Sequence, residues 1–205
     1  MTNPQLYLAT PVLAEAESFL PALDEALTAA TPASLLLRLS AQDEENATRI
    51  IRKIALRTEP RGVALVIEGA VDLVLRANGD GAQIAESAAS LKSAVECLSP
   101  RHIVGAAGLA TRHDAMVAGE LGADYVLFGG WSAPLPEDAL EERLKWWAEV
   151  FTTPCVAFAS TLPQARRFAR AGADFIMLGD CVWSDPRGPG AAMKDAQHAL
   201  AREEA

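Results

Sequence analysis

The feature that most constrains the fold is a regular alternation of short apolar runs with longer segments of helical periodicity. Eight runs have strand length and are nearly continuous in apolar residues, as expected for strands buried on both faces. They are QLYLAT (5–10), SLLLRL (34–39), GVALVIE (62–68), GAQIAE (81–86), HIVGAA (102–107), YVLFGG (125–130), CVAFAS (155–160) and FIMLGD (175–180). Between them, segments such as ALEERLKWWAEVF (139–151) have the apolar spacing of helices.

Eight strands that alternate with helices predict a parallel sheet with right-handed crossovers. The 205 residues leave about 26 for each strand–helix unit, and the units are even in length. We therefore expect an α/β fold, a (β/α)₈ TIM barrel that forms a single domain over residues 1–205. An open doubly wound sheet is the alternative. It is disfavoured because no glycine-rich dinucleotide turn follows the first strand.

Within the helical segment 139–151, four apolar side chains are predicted to share one face: Leu140, Leu144, Trp147 and Val150. This pattern assigns Trp147 to the core rather than to a site. The predicted helix EAESFLPALDEALTAA (15–30) contains Pro21, which is expected near its first turn.

Charge and cysteine content restrict the partners and the compartment. The formal net charge of -9 and the pI of about 4.8 disfavour nucleic acid and anionic membrane surfaces as partners. No signal peptide or run of membrane-spanning length is visible, so no membrane association is expected. Cys97, Cys155 and Cys181 form no CxxC pair, which indicates reduced thiols in a cytoplasm. Cys155 lies in an apolar run and is expected to be buried.

One phrase occurs twice, as GADYVLFGG (122–130) and GADFIMLGD (172–180), with a weaker third copy in NGDGAQIAE (78–86). The glycine of each GAD suits a left-handed cap at the end of a helix. The aspartates Asp80, Asp124 and Asp174 then lie where a strand begins, at the rim opposite the usual site of barrel chemistry. We interpret these three residues as structural.

In a TIM barrel, chemistry takes place where the strands end, and the last two strands commonly supply a phosphate site. At the end of the seventh strand, Ser160 or Thr161 is a candidate to donate to a phosphate, or to cap the next helix only. Gly129, Gly130 and Gly179 are candidates for close backbone approach to a ligand, although glycines at strand ends are also ordinary turn residues.

The acid that ends the second GAD copy is a difficulty for a phosphate site. The Asp180 carboxylate would repel a phosphate unless it turns outward or pairs with Arg187.

The motifs LYLAT, LLLRLS, ALVIEGAVDLVLRANGDGAQIAE, HIVGAAGLAT, GELGADYVLFGG, TPCVAFAST and ARAGADFIMLGD occur in this order over nearly the whole chain. Their order resembles the thiamine phosphate synthase family, most specifically at the third and fourth strands. The resemblance implies a TIM barrel and a role in thiamine biosynthesis. The family joins a hydroxymethylpyrimidine, delivered as its pyrophosphate, to a thiazole phosphate, and its relatives include a thiazole tautomerase. In that family, Mg²⁺ and basic groups hold the pyrophosphate as it leaves.

The residues that the resemblance implies for catalysis are largely replaced. The family has Gln-x-Arg-x-Lys at the end of the second strand, and LLRLS (36–40) retains only Arg38, which is therefore a candidate to bind a phosphate ligand. Glu68 and Gly69 stand where the family has Asn-Asp, and QIAESA (83–88) replaces a His-Leu-Gly-Gln-x-Asp pattern. The loop GGWSAPLPED lacks the family lysine. We expect weak or no synthase activity, leave the catalytic residues unassigned and assign no metal ligand. Mg²⁺ is expected only if the family activity is retained, and no other cofactor is indicated.

Two carboxylates leave a metal alternative open. Glu68 and Glu86 end adjacent strands and would form a displaced pair of ligands if both faced the mouth. Otherwise each points outward or pairs with Arg38.

The three histidines do not favour the tautomerase reaction. His102 begins the fifth strand, and His113 and His198 lie in helices, so none is expected at the catalytic rim.

Two tryptophans follow strands where the family has smaller residues. Trp131 and Trp183 are predicted at the mouth, either stacking on a flat ligand or filling an unused pocket. The expected partner is a small phosphorylated or aromatic molecule, and a homodimer is compatible with the fold. A non-catalytic ligand-binding barrel and an inert scaffold or partner subunit remain the alternatives to an active synthase.

Overall fold

In the computed structural model, which describes residues 3–40 and 43–201, eight parallel strands close into a barrel in chain order. The strands are β1 (Gln5–Leu13), β2 (Ser34–Leu39), β3 (Ala64–Glu68), β4 (Gly81–Ile84), β5 (Ile103–Ala106), β6 (Tyr125–Phe128), β7 (Cys155–Ala159) and β8 (Phe175–Leu178). β8 pairs in parallel with β1 and closes the ring. The predicted (β/α)₈ barrel is confirmed, and the open sheet is excluded.

Helices follow the strands and cover the outside of the barrel. They are α1 (Leu20–Ala29), α2 (Glu44–Thr58), α3 (Val71–Ala77), α4 (Ala88–Leu98), α5 (Arg112–Glu120), α6 (Glu137–Val150), α7 (Leu162–Arg170), α8 (Asp180–Trp183) and α9 (Pro189–Leu200). No helix within these described ranges has both the length and the apolar character needed to cross a membrane.

The predicted elements exist, but several ends differ. α1 begins at Leu20, so the predicted helical segment from residue 15 starts too early, whereas the expected position of Pro21 near the first turn is confirmed. β1 runs on to Leu13, and its pairing with β2 is irregular between Ala9 and Val12. The predicted last residues of most other strands belong instead to the loops that follow the strands. These loops form the rim at the carboxyl ends of the strands, which we call the upper rim.

The buried face of α6 was predicted correctly except at its end. Trp147 is 1% exposed and stacks on Phe151, whereas Val150 is 59% exposed. The assignment of Val150 to the buried face was wrong because ten residues at about 100° each place it about 80° away from Leu140.

A polar chain fills part of the barrel interior. The hydroxyls of Tyr7 and Tyr125 lie 2.9 Å apart, and the Tyr125 hydroxyl donates to Gln83 Oε1 at 3.0 Å. Burial is the main cause that raises the pKa of both tyrosines above the ordinary value. Gly105 leaves room for this arrangement, because a Cβ there would lie 2.0 Å from Cζ of Tyr125. A side chain in place of that hydrogen would displace the ring.

The aspartates of the repeated phrase join neighbouring strands at the rim where the strands begin, which we call the lower rim. Each donates its backbone N–H to the carbonyl of one residue on the preceding strand, and its carboxylate accepts the N–H of that same residue. The pairs are Asp80 with Leu65, Asp124 with Val104, and Asp174 with Cys155. Gly122 and Gly172 have φ of +92° and +101°, the left-handed conformation predicted for the helix caps. The structural interpretation of the aspartates is confirmed.

Candidate ligand site at the mouth of the barrel

Four side chains from the carboxyl-end half of the barrel meet at its mouth, and we call them the mouth cluster. Arg38 is the penultimate residue of β2, Glu68 ends β3, Phe158 is near the end of β7, and Trp131 follows β6 by three residues. Arg38, Glu68 and Trp131 were sequence candidates, and the structure brings them into direct contact. Phe158 was missed, although alternation along β7 places it on the same interior side as Val156.

The Trp131 indole is held on three sides. Its Nε1 donates to Glu68 Oε1 at 2.7 Å, and Arg38 Cζ lies 3.7 Å from the centroid of the indole ring. The Phe158 ring meets the indole edge-on, with centroids 5.3 Å apart. These are a charge-assisted hydrogen bond, a cation–π contact and an aromatic edge contact.

The charges of the mouth cluster offset each other. Arg38 Nε lies 3.2 Å from Glu68 Oε2, and the two side chains are only 19% and 26% exposed. Arg38 is also fixed through its backbone, because its N–H donates to Oγ1 of buried Thr10 at 3.0 Å. Of the alternatives for Glu68, the pair with Arg38 is therefore the one observed.

The backbone after β6 explains why Trp131 reaches the mouth. Gly129 and Gly130 have φ of +80° and +85°, a backbone conformation that residues with a Cβ rarely adopt. A Cβ on Gly129 would also lie 3.1 Å from a methyl group of Leu140. The two glycines turn the chain, and the Trp131 indole after them reaches Glu68.

At the end of β7, the polar residues serve the next helix. Thr161 Oγ1 accepts the N–H of Gln164 at 3.3 Å, and the Ser160 N–H donates to Gln164 Oε1 at 2.9 Å. The capping role of Thr161 in α7 is thus confirmed. The phosphate role of Ser160 and Thr161 stays a prediction.

At the end of β8, the second tryptophan is separate from the first. Trp183 Nε1 donates to the carbonyl of Ala9 at 2.7 Å, and its ring meets Phe19 edge-on at 4.7 Å. Trp183 therefore attaches α8 to β1 and to the residue that precedes α1, while Trp131 belongs to the mouth cluster.

Asp180 does not pair with Arg187, and the ligand-binding role of Gly179 stays a prediction. Gly179 has φ of −132°, which is not a left-handed conformation. Asp180 is exposed at the first residue of α8. Arg187 bonds to Asp185 and Asp195, each at 2.8 Å. Of the two alternatives for Asp180, the outward position is the one observed.

The residues at the mouth do not fit a magnesium ion. Both carboxylate oxygens of Glu68 already accept hydrogen bonds, from Arg38 and from Trp131. Glu86 is exposed beyond the end of β4. Mg²⁺ needs carboxylate or water oxygens in octahedral geometry. Over residues 3–40 and 43–201, no group of three or more His, Cys, Asp and Glu side chains is placed to hold a metal ion.

A pocket of about 340 Å³ opens beside the mouth, between the first turns of α4 and α5. Glu86, Ser87, His113 and Asp114 are among its lining residues. The expectation that His113 lies away from the catalytic rim was wrong, because each helix of the barrel begins at the rim where its strand ends.

The closed parallel barrel and the cluster at the carboxyl ends of its strands define a TIM-barrel protein with its candidate site in the usual place for that fold. A family model described as thiamine monophosphate synthase matches residues 6–182. The chain is 36% identical to a thiamine-phosphate synthase of Rhodospirillum centenum, over 95% of this chain and 97% of that protein. It is 34% identical to the thiamine-phosphate synthase of Hyphomonas neptunium, over 93% and 90% of the two chains. The chain belongs to the thiamine monophosphate synthase family, as its motifs predicted.

A solved structure extends the likeness of the fold. Thiamine phosphate pyrophosphorylase from Pyrococcus furiosus superposes with a TM-score of 0.81 and 21% identity, over 97% of this chain and 96% of that one. At this identity, the superposition supports the barrel fold alone.

Proposed function

We propose that this protein has weak or no thiamine phosphate synthase activity and that its mouth binds a small phosphorylated or aromatic molecule. The observation that carries the proposal is the contact of Arg38 with Glu68 and Trp131. This is the one residue of the strand-two family pattern that the sequence retains, and it is paired with Glu68 and covered by Trp131.

The physical reason is the charge of the leaving group. Departure of pyrophosphate needs positive groups aimed at the developing negative charge, and the loss of one such group typically lowers turnover by about 10²–10³-fold. In the mouth cluster, Glu68 offsets the charge of Arg38 at 3.2 Å. A carboxylate in that position opposes an anionic leaving group.

Pyrophosphate release tests the first part of the proposal. Purified protein is supplied with Mg²⁺, hydroxymethylpyrimidine pyrophosphate and thiazole phosphate, and is compared with the Arg38→Ala variant. We expect release no faster than that of the variant. Turnover well above the Arg38→Ala rate, with both proteins shown to be folded by circular dichroism, would refute the proposal.

Phosphate binding is the second part, and the two rim carboxylates provide a matched pair of variants for it. Glu68→Gln removes the charge that opposes Arg38, whereas Glu86→Gln removes an exposed charge beside Gly69. Titration calorimetry with thiazole phosphate should show about fivefold tighter binding for Glu68→Gln, since a partly exposed ion pair contributes about 1 kcal/mol. No heat of binding with either wild type or Glu68→Gln would eliminate the phosphate ligand and leave the aromatic ligand and the scaffold as alternatives.

The remaining parts of the proposal concern compartment and partners. Cys97, Cys155 and Cys181 are free thiols, which supports a reducing cytoplasm. The net charge of -9 supports a small-molecule partner over nucleic acid. A homodimer is tested by sedimentation velocity, in which a single species of monomer mass at micromolar concentration would exclude it.

A further inference from the structure

The Trp131 indole is bound in the mouth in the way that a protein binds a small flat ligand. A carboxylate oxygen of Glu68 accepts the ring N–H at 2.7 Å, and the guanidinium of Arg38 lies over the ring face at 3.7 Å. The Phe158 ring is in edge contact with the indole. Apolar walls with a few convergent polar groups are typical of small-molecule sites.

The residues that contact the indole lie on strands, whereas Trp131 itself lies in a loop. Arg38, Glu68 and Phe158 lie on strands of the closed barrel, where each is paired with a residue of a neighbouring strand. Trp131 lies in the connection between β6 and α6, after Gly129 and Gly130. Glycines and loop residues absorb large changes in φ and ψ at low cost. The strands can therefore keep the site formed while the indole leaves it.

We propose that the mouth cluster is a binding site for a planar heterocycle that carries a ring N–H, and that Trp131 is an internal occupant which such a ligand displaces. The inference deepens the proposed function and rests on it only in placing the ligand at the mouth. Glu68 accepts the ring N–H, Arg38 covers one face, and Phe158 contacts the edge. A ring without an N–H leaves the Glu68 oxygen without this donor.

Competition with Trp131 sets the expected affinities. When only a fraction of the protein has an open site, the apparent dissociation constant rises by that same factor. Trp131→Ala removes the competitor and leaves Arg38, Glu68 and Phe158 in place. Free indole, which is the side chain that the variant lacks, is therefore the natural probe.

The experiment is a calorimetric titration of indole into wild type and Trp131→Ala. We expect indole to bind the variant at least about tenfold more tightly than wild type. The matched control is Trp146→Ala, which truncates a tryptophan that also lies beneath an arginine, with Arg112 Cζ 4.9 Å from its ring. Trp146 is on α6, away from the mouth, so this variant should bind indole no better than wild type. Equal affinity in wild type and Trp131→Ala would overturn the proposal.

The hydrogen bond to Glu68 is tested with N-methylindole, which has the same ring system without the N–H. It should bind Trp131→Ala about tenfold more weakly than indole, since a carboxylate left without its donor is costly. The difference should vanish in Trp131→Ala/Glu68→Ala. Equal binding of both probes to Trp131→Ala would refute the assigned role of Glu68.

Displacement in the intact protein is followed by the indole N–H resonance of Trp131, identified by its loss in Trp131→Phe. Saturating benzimidazole should shift this resonance, and an unmoved resonance would refute displacement. The pyrophosphate assay is independent of these titrations. Turnover together with tight indole binding would refute only the weak-synthase proposal, and absence of both would refute only the present one.

Discussion

Asp124→Ala removes the carboxylate that joins β5 to the start of β6 at the lower rim. In the native protein, this carboxylate accepts the N–H of Val104 at 2.8 Å, and Val104 itself is 0% exposed. The second bond of the pair, from the Asp124 N–H to the Val104 carbonyl, belongs to the backbone and survives the substitution. The variant therefore leaves one buried N–H without an acceptor.

The magnitude follows from that single loss. A buried donor left unpaired costs about 1–3 kcal/mol, so we expect a loss of about 2 kcal/mol in the free energy of unfolding. For a chain of this length, that loss lowers the melting temperature by about 4–8 °C. Asp124→Asn keeps an amide oxygen as acceptor but loses the charge, so it should cost about 1 kcal/mol.

Urea denaturation followed by circular dichroism measures the effect. The control is Asp180→Ala, because Asp180 ends the second copy of the repeated phrase and is exposed at the opposite rim. Its loss should change stability by less than about 0.5 kcal/mol. Equal stabilities of Asp124→Ala and Asp180→Ala would refute the structural role assigned to the repeated aspartates.

Two further predictions concern buried groups. Tyr125→Phe should lower stability by about 1–3 kcal/mol and by more than Tyr7→Phe, because the first change leaves the Gln83 oxygen without its donor and the second does not; denaturation of both variants checks the order. A thiol reagent at pH 8 should modify exposed Cys97 rapidly and Cys155 negligibly, since burial raises the pKa of Cys155 to about 12. The fast phase should disappear in Cys97→Ser and persist in Cys155→Ser.

The strands of this barrel and the bonds at its lower rim, which together we call its frame, could be predicted because the patterns that indicate them are local in the sequence. Each strand is an apolar run, and each GAD phrase places a left-handed glycine and a bonding aspartate at fixed offsets from the strand that follows. Where prediction failed, a local pattern was extended too far. The side chain of Val150 leaves the buried face because ten residues do not make a whole number of turns.

The mouth could be predicted only in part. Strand ends located Arg38, Glu68 and Trp131, but which of them would touch depended on side-chain directions from three strands and one loop. Glu68 had several partners open to it, and the choice of Arg38 and Trp131 follows from the closed barrel geometry. Trp183 also follows a strand, as Trp131 does, yet its indole bonds to the Ala9 carbonyl instead. The spacing of residues in the sequence does not distinguish the contacts of Trp131 from those of Trp183.

The two ends of the barrel contribute to different properties of the protein. The bonds of Asp80, Asp124 and Asp174 lie at the lower rim, whereas the mouth cluster lies where the strands end. Sites that share no partners contribute to stability almost independently. Changes at the mouth therefore leave the bonds that define the frame intact. The 36% identity to a thiamine-phosphate synthase is an average over 95% of the chain and does not single out the few residues at the mouth. At the mouth, Glu68 and Trp131 engage the positive charge of Arg38, and the proposed weakness of synthase activity rests on these contacts.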